Sequence, residues 1–99
     1  MHKDIVKMSE YIEIEQEETD DPHVLILETN IKLAVDEIEV YDSAESMLEG
    51  SPFAHALAYI PGIRQLEIDD DTITVTRDPD FEWYTITEDI KAALVDFFL

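Results

Sequence analysis

The chain has 99 residues, 25 acidic against 6 basic for a formal net charge of −19, and is 45% hydrophobic. That length makes one domain with a modest core, and the hydrophobic share is enough to fold a chain whose charge alone would keep it open. There is no cysteine, which excludes disulfides, thiolate nucleophiles, cysteine-held zinc and cysteine-ligated iron–sulfur clusters. So negative a surface repels phosphate backbones and anionic lipid and argues against nucleic-acid and membrane partners. No stretch approaches the ~20 consecutive apolar residues that span a bilayer, and the expectation is a cytoplasmic protein.

Residues 1–10 mix Lys3 and Lys7 with Ile5, Val6 and Met8 and read as an N-terminal extension, either a tail or a short added strand. The single domain then covers 11–99. From Tyr11 to Glu18, Ile12 and Ile14 alternate with Glu13 and Glu15, the period of a half-buried strand. Thr19-Asp20-Asp21-Pro22 supplies a turn. The second strand runs from His23 to Thr29, with Val24, Leu25, Ile26 and Leu27 consecutive. A third is expected around 37–42, where Ile38 and Val40 alternate with Glu37 and Glu39. A helical turn at Ala44–Leu48 would sit in the connection that follows.

Ser51-Pro52 signals a helix start. Phe53, Leu57 and Ile60 fall on one face of that helix, and Pro61-Gly62 stops it. A hairpin follows: Leu66 and Ile68, the turn Asp69-Asp70-Asp71, then Ile73 and Val75 between threonines. Asp78-Pro79-Asp80 breaks the strand. The last helix has two possible caps, Thr85 with Glu88 or Thr87, and Ile86, Ile90, Leu94 and Phe97 share its apolar face in either case.

The fold class is therefore α+β, an antiparallel sheet of about five strands with two helices packed on one face. Leu25, Leu27, Leu66, Ile68, Ile73 and Val75 form the sheet side of the core.

Little in the sequence carries chemistry. His2, His23 and His55 never share the i, i+4 spacing of metal ligands, and each reads as a surface or loop histidine. The Asp69-Asp70-Asp71 turn could attract a hard cation but lacks the spacing of a calcium loop, and reads as a solvated hairpin turn. With only Gly50 and Gly62 for glycines, neither a phosphate loop nor a nucleophile elbow is present. No catalytic residue, metal ligand or cofactor site is assigned, and the chain is read as a non-enzyme. Trp83 reads as a plug where sheet meets helix.

The candidate partner surface is Val24 and Ile26, with Tyr59 as an aromatic expected to be partly exposed. If Leu25 and Leu27 face the helices, Val24 and Ile26 put an apolar patch on the opposite, charged face. Two accounts stand: cover by Ile5, Val6 and Met8, or a surface for a partner or a homodimer.

Several segments in order resemble the N-terminal domain of Nfu/NifU-type iron–sulfur scaffold proteins. They are Ser51-Pro52-x-Ala54-x-x-Leu57-x-x-Ile60-x-Gly62-Ile63, then Ile73-Thr74-Val75-Thr76, Trp83 and the ending Asp96-Phe97-Phe98. Upstream, Thr19-x-x-Pro22-x-x-Leu25 is similar to the family's Thr-Pro-Asn-Pro-Asn-x-Leu-Lys stretch. Asp20, Asp21 and His23 stand here for its first Pro and both Asn, and Ile26 for its Lys.

Scaffolds of this family carry a second, Cys-x-x-Cys domain, and the resemblance implies a stand-alone version of the accessory domain. It further implies a non-catalytic interaction module of iron–sulfur cluster biogenesis, monomeric or weakly dimeric, docking cluster carriers or client proteins. The alternatives are an adaptor outside iron–sulfur metabolism, or a weak cation-binding module built on the acidic turns.

Overall fold

A computed structural model describes residues 12–34 and 36–99. The extension at 1–10, with His2 and the cover ascribed to Ile5, Val6 and Met8, lies outside the described residues. In chain order the elements are β1 (Ile14–Glu18), β2 (Val24–Thr29), β3 (Glu39–Tyr41), α1 (Ala44–Leu48), α2 (Pro52–Leu57), β4 (Ile63–Asp69), β5 (Thr72–Arg77) and α3 (Trp83–Phe98). The sheet is five-stranded with order β1-β2-β5-β4-β3, and every pairing is antiparallel. This is the α+β arrangement read from the sequence, with the turn at Ala44–Leu48 formed as a third short helix.

One core joins the layers. Leu25, Leu27, Leu66, Ile68, Ile73 and Val75 from the sheet are buried against Met47, Phe53, Leu57, Ile86, Ile90 and Leu94 from the three helices. Burying such side chains contributes roughly 1.5–3 kcal/mol each before the entropy of ordering them is subtracted. Because the helices all pack on this side, strand residues of the opposite parity form a face that no described helix covers.

Local chemistry sets the helix ends. Ser43 and Ser46 cap α1 reciprocally. The Ser51 hydroxyl accepts from the Ala54 N–H at 3.3 Å and opens α2, with Pro52 in its first turn. That helix ends at Leu57, a turn earlier than the Phe53–Leu57–Ile60 stripe implied, although Ile60 still packs against the core. Gly62 then takes a positive φ of 96°, with Phe81 so close that a Cβ would lie 2.8 Å from it.

The start of α3 departs from both predicted caps. The helix begins at Trp83 after Glu82, with no side-chain cap. The reason is tertiary: Trp83 Nε1 donates to the Pro22 carbonyl at 2.9 Å, and Arg77 Nη1 donates to the Phe81 carbonyl at 2.6 Å. The first of these bonds is long-range and the second local, and together they fix the first turn upstream of Thr85. Thr87, instead of capping, is buried within the helix and donates to the Tyr84 carbonyl at 3.2 Å.

Candidate functional site

The strand registers lay out the uncovered face as rows. Glu15 stands opposite Glu28, which stands opposite Thr72, which stands opposite Asp69. The next row runs Glu17, Ile26, Thr74, Glu67, Val40 across all five strands, and the third runs Val24, Thr76, Gln65. Ile26 therefore sits near the centre of the sheet with Val24 beside it, both partly buried. No Lys or Arg occurs at these paired positions; Arg64 lies at the β4 irregularity, outside the rows. Glu15 directly opposite Glu28 is a like-charge pair with no base paired to it among the described residues, an arrangement that destabilises a sheet locally.

Val40 belongs to this face and its role was not anticipated. It is 62% exposed, because Glu39 and Tyr41, not Val40, turn toward the helices. Tyr41 donates to Glu39 Oε1 at 2.6 Å, Ser51 Oγ donates to the same oxygen at 2.7 Å, and the Ser51 N–H donates to the Tyr41 hydroxyl at 3.2 Å. That network pins β3 to the start of α2 and sets the phase of the strand. The inward Tyr41 was the available signal, since an aromatic two residues from a carboxylate can share one face with it. Burial and the bond to Glu39 raise the Tyr41 phenol pKa above its ordinary value.

The other candidates lie elsewhere. Tyr59, 70% exposed, follows α2 on the helical side and so does not join Val24 and Ile26. Its hydroxyl is 3.4 Å from His55 Nε2, and His55 Nδ1 is 2.9 Å from the Leu48 carbonyl. His23, at the first turn, has Nδ1 3.6 Å from Asp21 Oδ1. In the Asp69-Asp70-Asp71 turn the carbonyls are occupied by this chain. The Asp70 carbonyl accepts from the Leu33 and Ala34 N–H groups, and the Asp71 carbonyl from the N–H and hydroxyl of Thr29. The turn is thus a brace for the 29–34 connection. Among the described residues no group of three His, Asp or Glu is placed to hold a metal ion.

Two depressions lie beside aromatic side chains. One, of about 430 Å³, lies between Phe53, Phe97, Phe98 and the carboxylates of Asp36, Glu37 and Glu39. Its one hydroxyl nucleophile, Ser51, is committed to capping α2 and to Glu39. The other, of about 410 Å³, lies between Pro22, Leu25, Arg77 and Trp83, where the guanidinium carbon stands 5.6 Å from the indole centroid. The second is also lined by Thr19, whose hydroxyl donates to the Asp21 and Val24 carbonyls, so the hydroxyls of both depressions are held in structural bonds and hydrocarbon burial and charge are what these surfaces offer. Among the described residues no helix is long and apolar enough to cross a membrane.

Comparison with known proteins gives the chain a place. The family model described as "Scaffold protein Nfu/NifU N terminal" matches residues 14–99. No curated protein matches. Among solved structures, the NifU-like protein from Saccharomyces cerevisiae is similar at 22% identity and a TM-score of 0.71, over 86% of this chain and 76% of that one. Protein SAV1430 from Staphylococcus aureus is similar at 16% identity and a TM-score of 0.67, over 83% of this chain and 98% of that one. Identities this low speak for the fold, and the family match speaks for the lineage.

Proposed function

Since the chain belongs to the Nfu/NifU N-terminal family, whose members serve iron–sulfur cluster biogenesis, we propose that it acts there as a non-catalytic docking module. Its uncovered sheet face receives a basic protein partner, a cluster carrier or a client apoprotein. With no cysteine of its own, the chain holds no cluster on thiolates, and cluster transfer takes place between other proteins that it brings together.

The observation that supports this reading is the composition of the face. Ile26, Val24 and Val40 lie among Glu15, Glu17, Glu28, Glu67 and Asp69 without a paired base. A basic partner would relieve the Glu15–Glu28 opposition while burying the apolar row, so association gains on both counts. Electrostatic steering would also speed the encounter.

The test is capture by the tagged protein from lysate under anaerobic conditions at two salt concentrations, with prey identified by mass spectrometry. Enrichment of cluster carriers or iron–sulfur clients, lost in a Val24→Thr, Ile26→Thr variant and weakened by salt, is the expected result. Reproducible capture of proteins outside iron–sulfur metabolism would replace this reading with that of a general adaptor.

A further inference from the structure

β1 pairs with β2 on one side only, and among the described residues nothing pairs with its other edge. An open strand edge is a template for another strand. The extended alternation continues past the start of β1. Glu13 stands where the register places Asn30 opposite, and its N–H donates to Asn30 Oδ1 at 3.0 Å. Ile12 is buried, Glu13 exposed, Ile14 partly buried and Glu15 exposed, so the two faces of this edge are defined from residue 12 onward. Beside the edge, on the helical side, lies an open recess of about 250 Å³ lined by Ile12, Ile14, Lys91 and Val95.

Residues 1–11, Met-His-Lys-Asp-Ile-Val-Lys-Met-Ser-Glu-Tyr, lead directly into this edge. We propose that the segment Lys3–Met8 is its occupant, added antiparallel to β1 after a reversal at Ser9-Glu10-Tyr11. Antiparallel neighbours share a face. With that three-residue loop, Met8 falls opposite Ile12 and Val6 opposite Ile14 on the helical side, where the apolar recess waits. On the other face Lys7 falls opposite Glu13 and Lys3 opposite Glu17, with Ile5 between them opposite Glu15.

Both faces match at once, and a slip of one residue breaks both. It would turn Lys7 inward against Ile12 or Ile14 and set Asp4 against Glu15 or Glu17. A slip of two that sets Val6 against Ile12 places Asp4 opposite Ile14, whereas one that sets Met8 against Ile14 keeps both faces, so the match fixes the parity of the pairing and the NOEs fix its register. It also brings lysines to the edge of a face whose paired positions hold none, and closes that edge to strands from other chains.

NMR of the full-length protein tests this. The expected result is cross-strand NOEs from Val6 to Ile14 and from Met8 to Ile12 that persist on dilution. Amide exchange at 14–18 should speed up by about tenfold or more in a Lys3→Glu, Lys7→Glu variant, while β2 and β5 stay protected. A second variant, Val6→Asp, attacks the apolar side and should speed the same amides. Absence of the NOEs, or exchange at 14–18 indifferent to both variants, overturns the proposal. So do NOEs that vanish on dilution, which would assign the edge to the segment of a second copy.

Discussion

Replacing Val24 and Ile26 together by Thr separates a docking face from a merely sticky one. Threonine keeps the β-branch and hence the strand preference. The exchange turns one methyl of Val24 and the ethyl of Ile26 into hydroxyls. Both side chains are partly buried in the free protein. At ~0.8 kcal/mol per fully buried methylene, losing three carbons that are about two-thirds or more buried costs the fold about 1.5–2 kcal/mol, or a fall of about 6–16 °C in Tm. The domain survives that loss at 25 °C. A partner can cover only the third or less that stays exposed, so binding loses under about 1 kcal/mol, a rise of up to about fourfold in Kd, and more where the row lies at the interface centre.

Thermal unfolding and calorimetric titration against a captured cluster carrier read the two effects separately. Val40→Thr is the companion. At 62% exposure it barely contributes to the fold, yet it ends the same cross-sheet row, so it should weaken binding at nearly constant Tm. A Kd unchanged within twofold in both variants, with Tm lowered only in the double one, would refute the assignment of this face.

Ionic strength should act in opposite directions on folding and docking: with a net charge of −19, added salt raises Tm by screening self-repulsion, and it weakens capture of a basic partner. Gly62→Ala should lose about 1–3 kcal/mol in denaturant unfolding, since the new Cβ meets Phe81 at a φ of 96° that L-residues rarely adopt. Tyr41 prefers its protonated form in the folded state. Stability therefore holds below pH ~10 and falls as pH rises through the raised folded pKa, and Tyr41→Phe should flatten that alkaline decline. Trp83→Phe removes the bond to the Pro22 carbonyl at an exposed site where water can replace it, so about 0.5–1 kcal/mol is lost, with faster exchange at 19–23 as the local readout.

The sheet was legible wherever alternation and burial agree, as in β4 and β5, whose inward Leu66, Ile68, Ile73 and Val75 are fully buried. Once the family resemblance turned Leu25 and Leu27 toward the helices, parity also placed Val24 and Ile26 on the outer face. Three features were hidden because long-range contacts decide them. The Trp83–Pro22 bond spans 61 residues and starts α3 ahead of its threonine caps. The Glu39–Tyr41–Ser51 network turns a carboxylate inward and a valine outward, against the hydropathy of the strand. The acidic hairpin turn looked like a solvated loop or an ion trap, but its carbonyls hold the 29–34 connection in place. The proposed docking face was half visible for a related reason. Apolar residues on β2 can be read from one strand, whereas the Glu15–Glu28 opposition and the row ending at Val40 exist only once the strands are paired.

That pairing bears on the choice between a second copy and a different partner. A twofold contact through this face would set its rows against themselves, bringing Glu15, Glu17, Glu28, Glu67 and Asp69 toward their own duplicates. Desolvating carboxylates against carboxylates is unfavourable whatever the apolar gain, which for Val24, Ile26 and Val40 amounts to only a few kcal/mol. On the proposed reading the same arrangement that disfavours a homodimer favours a partner rich in Lys and Arg around an apolar centre, because its bases meet acids that have no paired base among the described residues. Charge on this face would then work as selection, disfavouring a second copy and leaving the apolar row for a chain of opposite sign.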